Sequence, residues 1–259
     1  MNGKEIYAVV RTYKSLQKIR LQLYNRVVAF VKNNYDEIKS KLGLSDEKET
    51  EKLYAKVADM IIEAGIVYDE IEMTIRMLEK VREAEDECYR MMREVVKEHP
   101  FWEEYLSRIK GIGPAMGAVI IGWLGPLSRF STVSKLWKYC GLAPGQRRVK
   151  GQRAGYNVLL KSQLYVLGQS LLRANGWYKQ LYDYYKKICE EKHPDWRKAK
   201  RHMWAQRKVI KKFLSHAWEM WWKIVEGKEP PTKPYPIDIL KHADYLRPRV
   251  DKPEIKELR

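Results

Sequence analysis

A glycine-rich turn, Lys110-Gly111-Ile112-Gly113-Pro114, has the backbone chemistry of an anion site. The glycines at 111 and 113 permit a tight reversal and put no Cβ between a ligand and the backbone. Pro114 is typical of the first turn of a helix, where its missing N–H costs nothing. The N–H groups at that helix start, from Ala115 and Met116, would face a phosphate oxygen, and the Lys110 ammonium would add a positive charge.

The residues on either side of the turn predict a helix–hairpin–helix motif. Helices are expected over 101–109 and 114–124, with Ile112 tucked beneath the hairpin. A motif of this kind contacts the phosphate backbone and not the base edges, so we expect little sequence preference from it. A bare Gly-x-Gly is also common in ordinary turns, and that interpretation stays open.

The surroundings of the turn contain no acidic residue. Residues 105–182 hold twelve Lys and Arg and no Asp or Glu. A polyanion would favour such a composition, because each contact with it needs a cation or a free backbone N–H. The same composition disfavours a magnesium site, which needs carboxylate oxygens. We therefore interpret this stretch as a nucleic-acid-binding surface.

A second candidate is the basic loop, defined here as residues 146–155. Four cations lie within seven residues of it and three glycines flank or interrupt them, which is typical of a flexible segment that follows a phosphate track. Its cations are Arg147, Arg148, Lys150 and Arg153, and Asn157 and Lys161 follow it. The alternative is a solvated loop that is basic for solubility alone.

Charge is unevenly distributed over the 259 residues. The net charge is +17, yet residues 1–100 hold 18 basic against 19 acidic side chains, while residues 101–259 hold 32 against 14. One half is thus close to neutral and the other carries +18, which favours an anionic partner for the second half. A basic helix over 197–225 could extend that surface or stay solvated. Its tryptophans, at 204, 218, 221 and 222, are expected in the core.

The first hundred residues predict two long helices that form an antiparallel coiled-coil hairpin. Apolar residues keep three–four spacing from Ile6 to Phe30 and again from Leu53 to Val95. Gly43 is expected to end the first helix in the left-handed conformation, and Ser45 to cap the second. The hairpin would serve as a scaffold arm or as a homodimer interface.

The sequence as a whole predicts an all-α fold in three parts. These are a coiled-coil hairpin over 1–99, a basic helical domain with the helix–hairpin–helix motif over 100–227, and a Pro-rich extended tail over 228–259. Within the middle part, further helices are expected over 134–140, 157–174, 177–192 and 197–225. No alternating pattern long enough for a strand is present.

Several other classes of protein are disfavoured. The three cysteines are isolated, which fits free thiols in a reducing compartment, and the histidines lack metal-ligand spacing. We expect no metal, no cofactor and no membrane partner, since no apolar run approaches the length of a membrane span. A cytoplasmic, nucleoid-associated protein is the expectation. Abundant Lys, Glu and Arg are typical of a thermophilic or archaeal source.

The segment 109–173 resembles the C-terminal domain of the insertion-sequence 110/116/902 transposase family, recombinases that are guided by a bridge RNA. The resemblance lies in the hairpin, in Ser128-Arg129-Phe130-Ser131, in Tyr139-Cys140-Gly141-Leu142-Ala143-Pro144, in the basic loop with Asn157, and in Leu171-Leu172-Arg173. It implies a DNA-binding fold.

Two departures from the family pattern bear on catalysis. Family members carry an N-terminal RuvC-like nuclease domain, whereas this sequence starts with the coiled-coil pattern. They also place a nucleophilic serine in the loop after Gly-Leu-Ala-Pro, where this chain has Val149-Lys150-Gly151 and no serine between Ser134 and Ser162. The departures imply that strand cleavage is lost and that no residue here is catalytic.

The sequence therefore favours a non-catalytic DNA-binding protein. Two alternatives stay open. One is a recombinase or nuclease, acting alone or with a partner subunit, for which Ser131, Ser134 and Ser162 are the nearby nucleophiles. The other is an RNA-binding module, because a cationic loop binds either polymer.

Overall fold

A computed structural model of the chain describes residues 3–45, 48–232 and 246–251. Those residues form ten α-helices and three short 3-10 segments, and none of them is in a β-strand, which confirms the predicted all-α class. The 3-10 segments are Val96–Glu98, Leu106–Arg108 and Leu127–Arg129. The helices are α1 (Gly3–Asn33), α2 (Tyr35–Leu42), α3 (Glu51–Glu63), α4 (Asp69–Val95), α5 (Pro100–Glu104), α6 (Pro114–Leu124), α7 (Val133–Tyr139), α8 (Val158–Arg173), α9 (Trp177–Lys192) and α10 (Lys198–Ile224).

The chain divides into two compact units. One comprises Val9–Met91, and the other comprises Met1–Ala8 together with Met92–Arg259. Both boundaries fall inside helices, in α1 and in α4. The acid-free stretch lies wholly in the second unit.

In the Val9–Met91 unit, α1 and α4 run antiparallel. Tyr13 on α1 faces Tyr89 on α4 with ring centroids 5.9 Å apart, and Arg20 Nε lies 2.6 Å from an oxygen of Glu85. Early residues of α1 thus meet late residues of α4. An apolar core that includes Val27, Val31, Ile38, Val57, Ile61 and Leu78 holds the unit together.

The prediction of two long helices in this region is wrong, because each is broken once. α1 stops at Asn34, whose side-chain amide donates to Phe30 O at 2.9 Å and competes with the helix. The second break follows α3 at Gly65, which has a φ of 63° and lets Ile66 N bond Ile61 O at 3.0 Å. The three–four spacing runs through both breaks, so periodicity alone concealed them.

The predicted cap at Gly43 is confirmed, and the one at Ser45 is wrong. Gly43 has a φ of 62°, and Leu44 N donates to Lys39 O at 3.1 Å behind it. The second helical region begins five residues after Ser45, where the Thr50 hydroxyl accepts from Leu53 N at 3.2 Å. Either residue type can cap a helix.

In the second unit, five of the six expected helices occur within one residue of their predicted ends. The helix expected over 101–109 is wrong: Tyr105, with φ −133° and ψ −63°, separates the short α5 from the 3-10 segment Leu106–Arg108. Of the four tryptophans expected in the core, Trp218 and Trp221 are buried, whereas Trp204 and Trp222 are only half-buried.

The predicted tail over 228–259 is only partly described. Residues 233–245 and 252–259 lie outside the described residues, and residues 246–251 contain no helix. Across the described part of the chain, no helix has the length and apolar character needed to span a membrane.

Candidate nucleic-acid interface

The glycine turn joins the 3-10 segment Leu106–Arg108 to α6. Ile112 is 6% exposed and its N–H donates to Ile109 O at 3.2 Å, so this side chain lies under the turn. Lys110 and Gly113 are exposed. Gly113 has an ordinary φ of −87°, and a Cβ built on it would meet nothing within 4 Å. The tip of the turn is therefore open to a ligand.

Gly111 has a structural role that the sequence did not predict: it packs against α8. Its φ is 92°, and a Cβ there would lie 2.8 Å from Ser170 O on α8. The Ser170 hydroxyl also donates to Gly111 O at 2.6 Å. Its positive φ confirms that the reversal needs a glycine, and the close packing of the turn against α8 is a second reason for one.

The start of α6 has the features of an anion site. Gly113 occupies the N-cap position and Pro114 follows as the first helical residue, and no side chain of the described residues caps this end. Gly117 N makes the first bond of the helix, to Gly113 O at 2.9 Å. The N–H groups of Ala115 and Met116 thus precede the helical ladder, where the helix dipole favours a negative ligand.

The basic loop lies between α7 and α8, and its base is fixed while its cations are exposed. Gln146 donates to Lys138 O at 3.0 Å and accepts from Ala143 N at 3.1 Å. Where the loop returns, Asn157 N donates to Tyr139 O at 3.0 Å. Arg147, Arg148, Lys150 and Arg153 are all exposed.

Asn157 and Lys161 are engaged inside the protein. The Asn157 side chain caps α8 by accepting from Leu160 N at 3.0 Å, and its amide lies 3.3 Å from the Tyr139 hydroxyl. Lys161 is half-buried, with its ammonium 4.6 Å from the centroid of the Tyr156 ring. Both residues position the loop, and Asn157 has little left to offer a ligand.

The two candidate elements lie at opposite ends of one helix. The basic loop ends two residues before Asn157, the N-cap of α8, and the turn packs on Ser170 near the other end of that helix. Thirteen residues separate these positions, which is about 20 Å along an α-helix. α8 therefore sets the distance between the turn and the loop.

Further cations that the sequence did not single out lie beside the base of the loop. Arg129 is exposed over the Phe130 and Tyr139 rings, at 4.7 and 4.8 Å from their centroids. Arg207 of α10 donates to Leu142 O at 2.8 Å and to Ala143 O at 3.0 Å. Arg129 belongs to the Ser-Arg-Phe-Ser turn and Arg207 to the basic helix expected over 197–225, but neither residue was predicted to lie beside the loop.

α10 holds several of its positive charges close together. Burial, and to a smaller extent the neighbouring Lys208 and Arg207, lower the pKa of Lys211 to about 8. The pKa of Lys208 is also lowered, by burial and then by Lys192 and Arg207. Such mutual repulsion would be relieved by a bound polyanion.

A groove of about 410 Å³ lies between α8 and α10. It is lined by aromatic, aliphatic and basic side chains, and no carboxylate is among them. The aromatic residues are Tyr165, Trp196 and Trp204, and the basic ones are Lys161, Lys200 and Arg207. Among the residues that the structure describes, no group of three or more His, Cys, Asp or Glu side chains could hold a metal ion.

Comparison with known families agrees with the resemblance seen in the sequence. Residues 103–183 match the Transposase IS116/IS110/IS902 family. The matched segment contains the turn, the basic loop and α8, and it nearly coincides with the acid-free stretch. The match confirms the resemblance and supports a transposase-related role for this part of the chain. No curated protein matches the chain significantly.

Proposed function

We propose that the protein is a non-catalytic, transposase-related DNA-binding protein that contacts the phosphate backbone through the glycine turn and the basic loop. The observation that carries the proposal is the exposure of Lys110, Gly113 and the loop cations at the two ends of α8, within a stretch that has no acidic residue.

In this proposal the two elements hold two parts of one duplex. Lys110 and the N–H groups of Ala115 and Met116 bind a phosphate at the turn, while Ile112 supports the turn from below. Arg147, Arg148, Lys150 and Arg153 bind phosphates about 20 Å away, which corresponds to about six base-pair steps of 3.4 Å. These are backbone contacts, so binding is largely independent of sequence.

The N-terminal helices pair two copies of the chain in this proposal. Large apolar side chains are exposed along α1 and α4 of the Val9–Met91 unit, among them Ile19, Leu21, Met73 and Met77. Apolar exposure on that scale is typical of a surface that meets a partner. The proposed location is with the nucleoid in the cytoplasm.

A binding panel over a salt series tests the proposal. Duplex DNA, a branched junction, single-stranded DNA and structured RNA are titrated with the purified protein. With five to eight phosphates neutralised, we expect log K to fall against log salt with a slope of about −5 to −7 on duplex. A protein that binds no duplex, or binds with a flat salt dependence, would contradict the proposal.

A module for RNA or for single strands is the second candidate, because the groove between α8 and α10 combines aromatic rings with cations. Bases stack on such rings without sequence preference. Tighter binding of structured RNA or single strands than of duplex, at matched salt, would favour this candidate over the first.

One contact favours a nuclease or recombinase instead. Lys135 Nζ donates to the Ser131 hydroxyl at 2.8 Å, so the serine lies beside a lysine that could take its proton once the lysine had lost its own. A covalent protein–DNA adduct, or Mg²⁺-dependent nicking that a Ser131→Ala substitution abolishes, would establish catalysis.

A further inference from the structure

A carboxylate from the C-terminal segment occupies the base of the glycine turn. Asp251 accepts a hydrogen bond from Lys110 N at 2.9 Å and another from Trp177 N at 2.7 Å. Its own N–H donates to Arg108 O at 3.0 Å. Three hydrogen bonds to backbone groups, two from the carboxylate and one from the N–H of Asp251, thus join this residue to the turn and to the start of α9.

The two amides that hold this carboxylate form an anion site. Lys110 N comes from the turn, and Trp177 N is the first N–H of α9, a helix of 16 residues. A helix start with a second, convergent N–H donor is an arrangement that binds phosphate as readily as carboxylate. Lys110 and Trp177, which provide the two N–H donors, belong to the acid-free stretch, whereas Asp251, which provides the acceptor, does not.

Gly176 provides independent evidence that the site is shaped for an anion. A Cβ at this position would lie 2.7 and 2.8 Å from the two carboxylate oxygens of Asp251. The backbone there has φ −94° and ψ −164°, a conformation that any residue adopts. The site therefore needs a glycine to make room for the oxygens, and not for the path of the chain.

The segment that carries Asp251 is held at both ends. His216 Nε2 lies 2.9 Å from Leu246 O, and between the two ends the Arg249 guanidinium lies 6.0 Å from the centroid of the Trp177 ring. The segment 246–251 is a strap across the start of α9 to the turn. The two hydrogen bonds that the Asp251 carboxylate accepts are ones that a competing anion could take over.

We propose that the amides of Lys110 and Trp177 bind a nucleic-acid phosphate and that Asp251 occupies this position in the free protein, so that the strap inhibits binding. The inference rests on the proposed function. In the bound state a phosphate oxygen replaces the carboxylate, and the strap leaves the turn.

Two substitutions remove the carboxylate in different ways. Asp251→Asn removes its charge and keeps one acceptor oxygen, whereas Asp251→Ala removes the charge and both acceptor oxygens. Both are expected to tighten duplex binding, by about tenfold if the strap is closed about nine-tenths of the time. The control is Asp195→Asn, an exposed aspartate whose neutralisation should change affinity by less than about twofold at physiological salt.

The outcomes separate the inference from the function on which it rests. Tighter binding by both variants supports the inference. If the wild-type protein binds duplex and either Asp251→Ala or Asp251→Asn gains no more affinity than Asp195→Asn, the strap does not compete and the inference is wrong. If the wild type and both variants bind no nucleic acid, the proposed function itself fails, and the inference with it.

Discussion

The two glycines of the turn, Gly111 and Gly113, have different structural roles. Gly111 adopts a positive φ and packs on α8, so it serves the fold. Gly113 has an ordinary φ and open space in front of it, so it can be changed without strain. Only a substitution of Gly113 can therefore test DNA binding without also destabilising the fold.

Gly113→Asp is predicted to weaken duplex binding and to stabilise the protein. Aspartate is a better N-cap than glycine, which should raise the free energy of unfolding by a few tenths of a kcal/mol. The new carboxylate would stand where the phosphate is proposed to bind, and affinity should fall by about tenfold or more. Fluorescence anisotropy on a labelled duplex and urea denaturation measure the two effects.

Gly113→Asn is the matched control for this prediction, because asparagine caps the helix without a charge. It should stabilise the protein to a similar degree and bind duplex much more tightly than the Gly113→Asp variant. Equal affinity of the two variants would show that the phosphate is bound elsewhere.

At the level of single residues, the sequence predicted the candidate residues of the turn and the loop. It did not predict which other residues of the protein contact them. The turn and the loop cations could be predicted because glycine, proline and arginine carry their chemistry locally. Ser170, Arg207 and Asp251 could not, since each meets the site across 59 or more positions of the chain. Contacts at such separations leave no local pattern.

At the level of elements, helices were predictable where composition and breakers agreed. α6 and α9 start and end where predicted, because proline or glycine marks their boundaries. The breaks at Asn34 and after Glu63 were missed because an apolar seam continued across them. The cap was wrongly predicted at Ser45 for a different reason: several residues near that position can cap a helix.

Thr50 and Ser45 provide a prediction at this level. Thr50→Ala should lower the free energy of unfolding by about 1 kcal/mol, because it removes the acceptor for Leu53 N. Ser45→Ala, which changes an exposed residue outside any helix, should have an effect within about 0.5 kcal/mol. Urea denaturation of the two variants makes the comparison. A larger loss at Ser45 would contradict the assigned start of α3.

At the level of the whole molecule, buried histidines link stability to pH. Burial lowers the pKa of His216 to about 4 from 6.5; the hydrogen bond to Leu246 O opposes this shift and Lys212 adds to it. Burial also lowers the pKa of His99. Below about pH 6.5 the unfolded chain therefore binds protons that the folded protein does not.

Stability should consequently fall as the pH drops from 6.5 toward 4. His216 contributes a loss of up to about 1.4 kcal/mol per pH unit in that window, and His99 adds a loss of the same sign. Urea denaturation between pH 6.5 and 5.0 measures the slope, and His216→Gln should reduce it. A flat profile, or an unchanged slope in the variant, would contradict the burial of a neutral imidazole.

The whole-molecule charge distribution leads to the central claim, that the acid-free stretch, residues 105–182, binds the nucleic-acid backbone. Replacing Arg147, Arg148, Lys150 and Arg153 with Gln lowers the net charge from +17 to 17 − 4 = +13. A control with the same net charge replaces four exposed lysines of the Val9–Met91 unit, Lys18, Lys52, Lys56 and Lys80.

Duplex titration of the two variants over a salt series is the most direct measurement. The loop variant should lose affinity by about a hundredfold or more, and its slope should become shallower by about three to four, because four phosphate contacts are gone. The control should stay within about threefold of the wild-type protein with its slope unchanged. Equal losses in the two variants would mean that overall charge alone drives binding, and would contradict the claim.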